Sequence, residues 1–542
     1  MKKIILFVLI SLIHFSYAQD SYNVIELDES KGKTRGSRYV GIDENGYIYT
    51  ISKKSTYVVI TTITKTYLKI FNANSGQMHA EVQLEKSNKL KARGMEYLSV
   101  RFIDKKPTVI CKKIRGDEPS KYFGIEINEN GDLIGDAFEI GVAGDCSGFG
   151  KRGKSYYSGV SQFKNENGEA TFISNVTCRK DELKTYRVLE LDKNLEVENS
   201  YTFKLDFESV LNFSYERGHK YSYIKVDTRD RKKVDGKLFK RWITHHRLYK
   251  VDTRNGALEE IDVESMLEPL KVGDFRLKKV DEGLLISGQI IQEKGFAGLF
   301  TAIVNLKSNE ITDIKTEDFD IDFVTKYWSD QQKKKEERRR DRKGENDDDE
   351  NFSTRFRLIE TFKTTDDGLI SIFQDYELHV VRHSSTDANG VRTVTYDYYH
   401  YYRDVIAVKT SKDGDIVYTK LLPFYQLTIN YNPGKGYSAV QQGNDLYFLH
   451  QASNEMNDMI EEGRKSSERS RWKDRKMQFA SVTHIDPKGN VDTEQVFDIG
   501  EKNVSIDPNN VAADNTNKQF VIVSPVMKMF NYKKTKVIKI EL

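Results

Sequence analysis

Three cysteines, eight prolines and three tryptophans are all that 542 residues contain. Cys111, Cys146 and Cys178 cannot all pair, and no Cys-x-x-Cys spacing occurs, which excludes a structural zinc site built on thiolates. One disulfide with a spare thiol and three buried thiols both stay open. Beyond the N-terminus, no stretch approaches the roughly 18 uninterrupted apolar residues that a transmembrane helix needs. No sign of charge dominates either, with 85 Lys and Arg against 82 Asp and Glu. That balance removes any global electrostatic case for nucleic acid or an anionic membrane as partner.

The chain opens with "MKKIILFVLISLIHFSYAQD". Lys2 and Lys3 form a positive n-region, Ile4 to Ile13 an apolar stretch, and Ser16 and Ala18 the small residues of a cleavage site before Gln19. Residues 1–18 are therefore expected to be a signal peptide. No cysteine follows that would carry a lipid anchor. The exported chain, 19–542, is expected in the periplasm, at the outer membrane or outside the cell, as a monomer.

What the chain has is aromatic residues and short alternating strands: 30 Tyr, 28 Phe and a modest hydrophobic share of 38%. The stretch "YVGIDENGYIYTI", Tyr39 to Ile51, is an alternating strand, a turn with Asn45-Gly46, and a second strand. Relatives recur, among them "YLKIFNANSGQMHAEVQL" from Tyr67, "GIEINENGDLIGDAFEI" from Gly124 and "LYKVDTRNGALEEIDV" from Leu248. Asn-Gly and Asp-Gly supply the positive φ that tight hairpins demand. Apart from two insertions the turns recur at intervals of roughly 50 to 65 residues, a little above the kelch-type blade period. Two hairpins per unit predict an all-β fold, a β-propeller of seven or eight four-stranded blades. The eighth blade would be completed by terminal strands at "YNVIELDES" and "FVIVSPVMKMFNYKKTKVIKIEL". Two smaller β domains are the alternative architecture.

The insertions, about 326–350 and 455–476, are charged and partly helical. The first, "KYWSDQQKKKEERRRDRKGENDDDE", is read as helical to about Lys343 and disordered after Gly344. Either a docking arm or a solvated connection between blades suits it. The signal peptide, the hairpins and "VIAVKTSKDGDIVYTKLLP" resemble the uncharacterised secreted β-propeller-like proteins of Gram-negative gut and aquatic bacteria. The resemblance implies an envelope or extracellular location and carries over no catalytic residue.

No constellation in the sequence commits the chain to chemistry. After Asp43 the calcium-ligand spacing fails at Tyr47 and Lys54, so a hairpin turn is the better reading. "GDCSGFGKRG", Gly144 to Gly153, fits both a nucleophile elbow and G-x-G-x-x-G, without the strand and helix that either motif needs. His245 and His246 are adjacent and point to opposite faces of a strand. His379 and His383 share a face but lie about 13 Å apart. Quinone-dependent propeller dehydrogenases carry a docking Trp in each blade, and Trp242, Trp328 and Trp472 do not supply that pattern. No catalytic, metal or cofactor set is therefore assigned.

The run "VTYDYYHYYRD" offers one candidate binding surface. On a strand, Tyr396, Tyr398, His400 and Tyr402 face one way, and Asp397, Tyr399 and Tyr401 the other. Such rings stack on sugars or peptide side chains, or pack between blades. The expected function is an exported, non-enzymatic propeller that binds or scaffolds a protein or glycan. The alternative is a hydrolase or lyase acting on polysaccharide or peptide in the central cavity.

Overall fold

A computed structural model describes residues 22–27, 35–58, 61–84, 94–103, 106–115, 118–142, 160–164, 170–175, 184–192, 196–205, 210–218, 220–232, 241–280, 283–292, 295–319, 321–334, 338, 356–386, 392–430, 432–463, 465, 478–502, 504, 506, 511–514, 518–528 and 531–542. Residues 1–18, read from the sequence as a signal peptide, lie outside them, as do Cys146, Cys178, the stretch Gly144–Gly153 and most of the two charged insertions.

Eight antiparallel sheets of four sequential strands form the chain, one of them with a fifth strand attached. They are the blades of a β-propeller: blade 1 spans 35–83, blade 2 95–142, blade 3 160–205 and blade 4 210–261. Blade 5 spans 272–318, blade 6 356–422, blade 7 438–498, and blade 8 511–541 together with the N-terminal strand Tyr22–Leu27. That strand pairs with Asn531–Glu541, Val24 opposite Ile538, so the two ends of the chain complete one blade and close the ring at eight.

The hairpin turns have one repeated physical cause. Asp43 Oδ1 accepts from the backbone N–H of Asn45 at 3.0 Å and of Tyr47 at 2.8 Å, and Gly46 takes a φ of 77°. Equivalent side-chain caps come from Asn72, Asn128, Asp192, Asp252, Asn305, Ser411 and Asp486, between the third and fourth strands of blades 1 to 7. The Asp and Asn of these loops serve the backbone.

Burial follows position in the blade. A fourth strand such as Val197–Leu205 alternates, with Tyr201, Phe203 and Leu205 buried and Thr202 and Lys204 exposed. Middle strands are sandwiched between neighbouring blades and are buried nearly throughout, as at Leu284, Leu285 and Ile286. The core is accordingly a ring of clusters between blades. Tyr49, Leu68 and Val109 join blades 1 and 2; Val440, Leu449 and Phe520 join blades 7 and 8; Ile48, Phe71 and Val521 join blades 8 and 1.

The insertions are more built-in than their charge suggested. Tyr327 and Trp328 open the first and are buried in the cluster between blades 5 and 6. The helix Asn454–Glu462, capped by Ser453, opens the second and buries Met456 and Met459 in that same cluster. Lys465 and Asp330 join the insertions at 2.9 Å. A solvated connection is thus the wrong description of where these segments begin, because a few apolar side chains at each root dock into the core.

In an antiparallel blade the first-to-second and third-to-fourth hairpins lie at one end of the ring. Second-to-third hairpins and the links between blades lie at the other. In blade 6 the second and third strands, Leu369–Thr386 and Arg392–Thr410, run far past their neighbours. The first strand reaches only Asp375 and the fourth only Val405. The remaining hairpin extends up to about 35 Å as an arm at this second end. A short strand, Gln426–Ile429, supports its root along Tyr399 to Tyr402.

Candidate functional site

The aromatic run lies on the arm. Cross-strand partners share a face, and the pairs Leu378–His400, Val380–Tyr398 and Arg382–Tyr396 put these six side chains together. Exposure falls along the run toward the ring: Tyr396 is 49% exposed, Tyr398 43%, His400 7% and Tyr402 1%. The four residues thus share one face, its outer half in solvent and its inner half built into the arm's root. Tyr402 packs on Tyr376 with ring centres 5.2 Å apart, and the Tyr376 hydroxyl shares a hydrogen bond with His400 Nδ1 at 2.9 Å. Burial lowers the His400 pKa, favouring the neutral ring. Leu378 and Val380 are exposed beside Tyr398 and add an apolar edge to the aromatic one.

Asp397 and Tyr399 lie on the opposite face. His383 pairs there with Asp397 at 2.8 Å, and His379 lies against Tyr399 at 6.3 Å between ring centres. The two histidines keep separate partners. His245 and His246 diverge as adjacent strand residues must: His245 is half-buried 3.7 Å from Glu264, and His246 is buried against Asp227.

At the root of the arm, blades 4, 5 and 6 and the link to blade 7 enclose a cleft of about 550 Å³. One wall carries Asp227 and His246, register partners on the middle strands of blade 4, and Asp274 at the start of blade 5. Asp227 Oδ1 accepts from His246 Nδ1 at 2.7 Å. The fully buried ammonium of Lys225 lies between the carboxylates, 2.7 Å from Asp227 Oδ1 and in contact with Asp274. Burial alone would raise the Asp227 pKa; the His246 hydrogen bond and the Lys225 charge more than offset it, leaving it below the usual value. Asp274 also pairs with Arg276 at 3.3 Å. The other wall carries Arg357, whose guanidinium lies 4.4 Å over the Tyr376 ring. Gln289 donates to the Phe356 carbonyl at 2.6 Å and spans the two walls.

Asp227, His246 and Asp274 bring three ligand-type atoms within 4.8 Å of one another, a spacing that suits a metal ion. Lys225 already supplies the cation that the two carboxylates hold, so a divalent ion would have to displace a buried ammonium.

None of this cleft was assembled by sequence reasoning, because its residues span 227 to 434 and spacing cannot join different blades. One signal was present. In "YSYIKVDT" the charges of Lys225 and Asp227 interrupt a middle strand that should be buried, and a buried charge needs partners.

The fold is that of an eight-bladed β-propeller. No protein-family model matches the chain, and no curated protein matches it. Likeness to solved structures is remote. The WD40 domain of SCAP from fission yeast is 8% identical, covering 96% of this chain and 98% of that one, with a TM-score of 0.36. A europium-containing methanol dehydrogenase is 7% identical over 96% and 93%, at 0.36. A thermostable family-43 glycoside hydrolase is 11% identical over 54% and 96%, at 0.22. Likenesses this weak bear on no residue, and the eight sheets themselves carry the fold. No helix among the described residues is long and apolar enough to cross a membrane.

Proposed function

We propose that the protein is exported and binds or scaffolds a partner, a protein or a glycan, through the arm-bearing end of its ring. One observation carries this reading: Leu378, Val380, Tyr396 and Tyr398 form an exposed apolar and aromatic face on a hairpin that stands clear of its blade. Aromatic groups held on a rigid element bind at low entropic cost, which suits them as anchors. The arm's load falls on a root of packed rings, so its face is held in one orientation. The single unit from residue 19 onward and its export belong to this reading and rest on the sequence pattern at the N-terminus.

The test is retention from envelope extracts and glycan arrays, with wild type compared against Tyr396→Ser/Tyr398→Ser. Retention by wild type and loss by the variant supports the proposal. A partner held equally by both, or none held by wild type, overturns it.

A second reading, an enzyme acting on polysaccharide, draws on the cleft where carboxylates and a histidine converge. Hydrolysis by two carboxylates needs one of them protonated, and at Asp227 the His246 hydrogen bond and the Lys225 charge work against that. Elimination fits the residues better. His246 Nε2 takes the proton from the carbon beside a carboxylate, that C–H electron pair forms a C=C bond as the neighbouring C–O bond breaks, and the departing oxygen receives the proton back from the imidazolium. Unsaturated products released from a uronate polysaccharide by wild type but not by His246→Gln would support it, and their absence would remove it.

A further inference from the structure

The cleft at the root of the arm differs from the arm's exposed face in one respect: it holds charges of both signs in fixed places. On one wall, Asp227 and Asp274 offer carboxylate oxygens, paired with Lys225 and, for Asp274, with Arg276. Beside them, the Nδ1–H of His246 is directed at Asp227, which fixes the tautomer and leaves Nε2 as a lone-pair acceptor. Among the described residues no protein group partners that Nε2. Facing this wall, Arg357 lies over the Tyr376 ring at 4.4 Å, and among the described residues no carboxylate pairs with it. An arginine fixed by stacking yet without an acidic partner keeps its N–H fork for an anion, and that fork matches a carboxylate in two parallel hydrogen bonds.

The chemistry wanted by the two walls is therefore different. One calls for hydroxyl donors, the other for a single planar anion, and about 550 Å³ is the size of a small-ligand site. The cleft's two carboxylates are outweighed by Lys225, Arg276 and Arg357, so a ligand of one negative charge is matched. A ligand dense in phosphate would meet Asp227 and Asp274 on the facing wall. A neutral sugar would satisfy the hydroxyl-accepting wall and leave Arg357 without its anion.

We propose that this cleft binds a carboxylate-bearing sugar, a hexuronate unit of an acidic glycan, with its carboxylate on Arg357 and its hydroxyls on the Asp227, His246 and Asp274 wall. This rests on the reading above that the arm-bearing end is the binding end. It gives that end a defined ligand class.

The experiment is isothermal titration of the full exported chain with oligosaccharides of galacturonic or glucuronic acid, their methyl esters, and neutral glucose oligomers. The acids should bind, and esterification should weaken binding tenfold or more, as expected for loss of charged hydrogen bonds. Arg357→Ala should lose at least as much, and Arg357→Lys should recover part of it. Arg357 is exposed, so its variants should melt as wild type does. His246→Gln provides a second variant on the facing wall. Acids that fail to bind the folded protein at millimolar concentration overturn the proposal, as do esters or glucose oligomers that bind as well, or an Arg357→Ala protein that binds unchanged.

Tyr396→Ser/Tyr398→Ser separates the two readings. Partner capture lost with uronate binding kept supports the cleft as a site of its own. Capture intact while no acid binds removes this proposal and leaves the arm reading standing.

Discussion

Lys225 and Asp227 sit two residues apart on one strand, face the same side, and meet at 2.7 Å with the ammonium wholly out of solvent. A buried charge of this kind is held by its partners, and removing it leaves Asp227 with the His246 hydrogen bond and Asp274 with Arg276. Lys225→Met should destabilise the protein by about 3–5 kcal/mol, seen as a lower urea midpoint. Adding Asp227→Asn and Asp274→Asn to that variant should recover part of the loss. The acid dependence follows from the lowered pKa of Asp227. Its contribution is fully present above the unfolded value near 3.9 and is lost as pH falls through the lower folded value. Asp227→Asn should flatten that acid limb.

His450 titrates in a different window. Its ring is stacked 4.0 Å from Phe424, Nε2 accepts from Thr483 at 2.8 Å, and Nδ1 donates to the Gln451 carbonyl at 3.1 Å. Burial lowers its pKa from 6.5 to about 4. The unfolded chain therefore takes up a proton that the fold refuses. This contribution is complete above pH 6.5 and declines until about pH 4, by roughly 1.4 kcal/mol per unit at most. Between pH 7 and pH 5 wild type should lose about 2 kcal/mol more than His450→Gln in urea denaturation.

Much of this architecture was legible in the sequence, because it is written in local chemistry. Asp43 with Gly46, and Asp252 with Gly256, cap their turns through contacts a few residues long, and alternation in Val197–Leu205 marks a half-solvated strand. Closure by the two ends of the chain was legible too, from strands at both termini, although the spacing left seven and eight blades open. The cleft was not. Arg357 and Tyr376 are near in sequence, but Asp227 and His246 reach them only through the curvature of three blades. The buried roots of the insertions were masked by composition: Trp328 and Met459 are single apolar residues among many charges, and burial depends on where they land.

The turn glycines are not equivalent, and a paired substitution should separate backbone from packing. Gly46 has a φ of 77°, and a side-chain carbon added there would meet nothing within 4 Å. Gly256, at 73°, would bring that carbon 1.8 Å from the Thr202 carbonyl of blade 3. Gly46→Ala meets only the left-handed backbone cost, about 1–2 kcal/mol. Gly256→Ala adds a backbone collision between blades, and its loss in chemical denaturation should be clearly the larger. Equal losses would mean that blades 3 and 4 can part at this point without penalty.

The closing strand allows the ring itself to be tested. Residues 22–27 pair with 535–540 along their whole length, and among the described residues no other strand covers that edge of blade 8. A chain lacking residues 19–27 would keep three strands of the blade and expose the backbone groups of Asn531–Glu541 as an open edge. Open edges recruit other strands, so the truncated protein should melt earlier and form dimers or larger species on size exclusion. A synthetic peptide of residues 20–29 binds only the folded ring, and by mass action it should raise the melting temperature in proportion to the logarithm of its concentration. A peptide with the same composition in scrambled order should not, because strand pairing depends on the order of residues as well as on their kind. Truncation without any change in melting or in size would mean that the blade is complete with three strands.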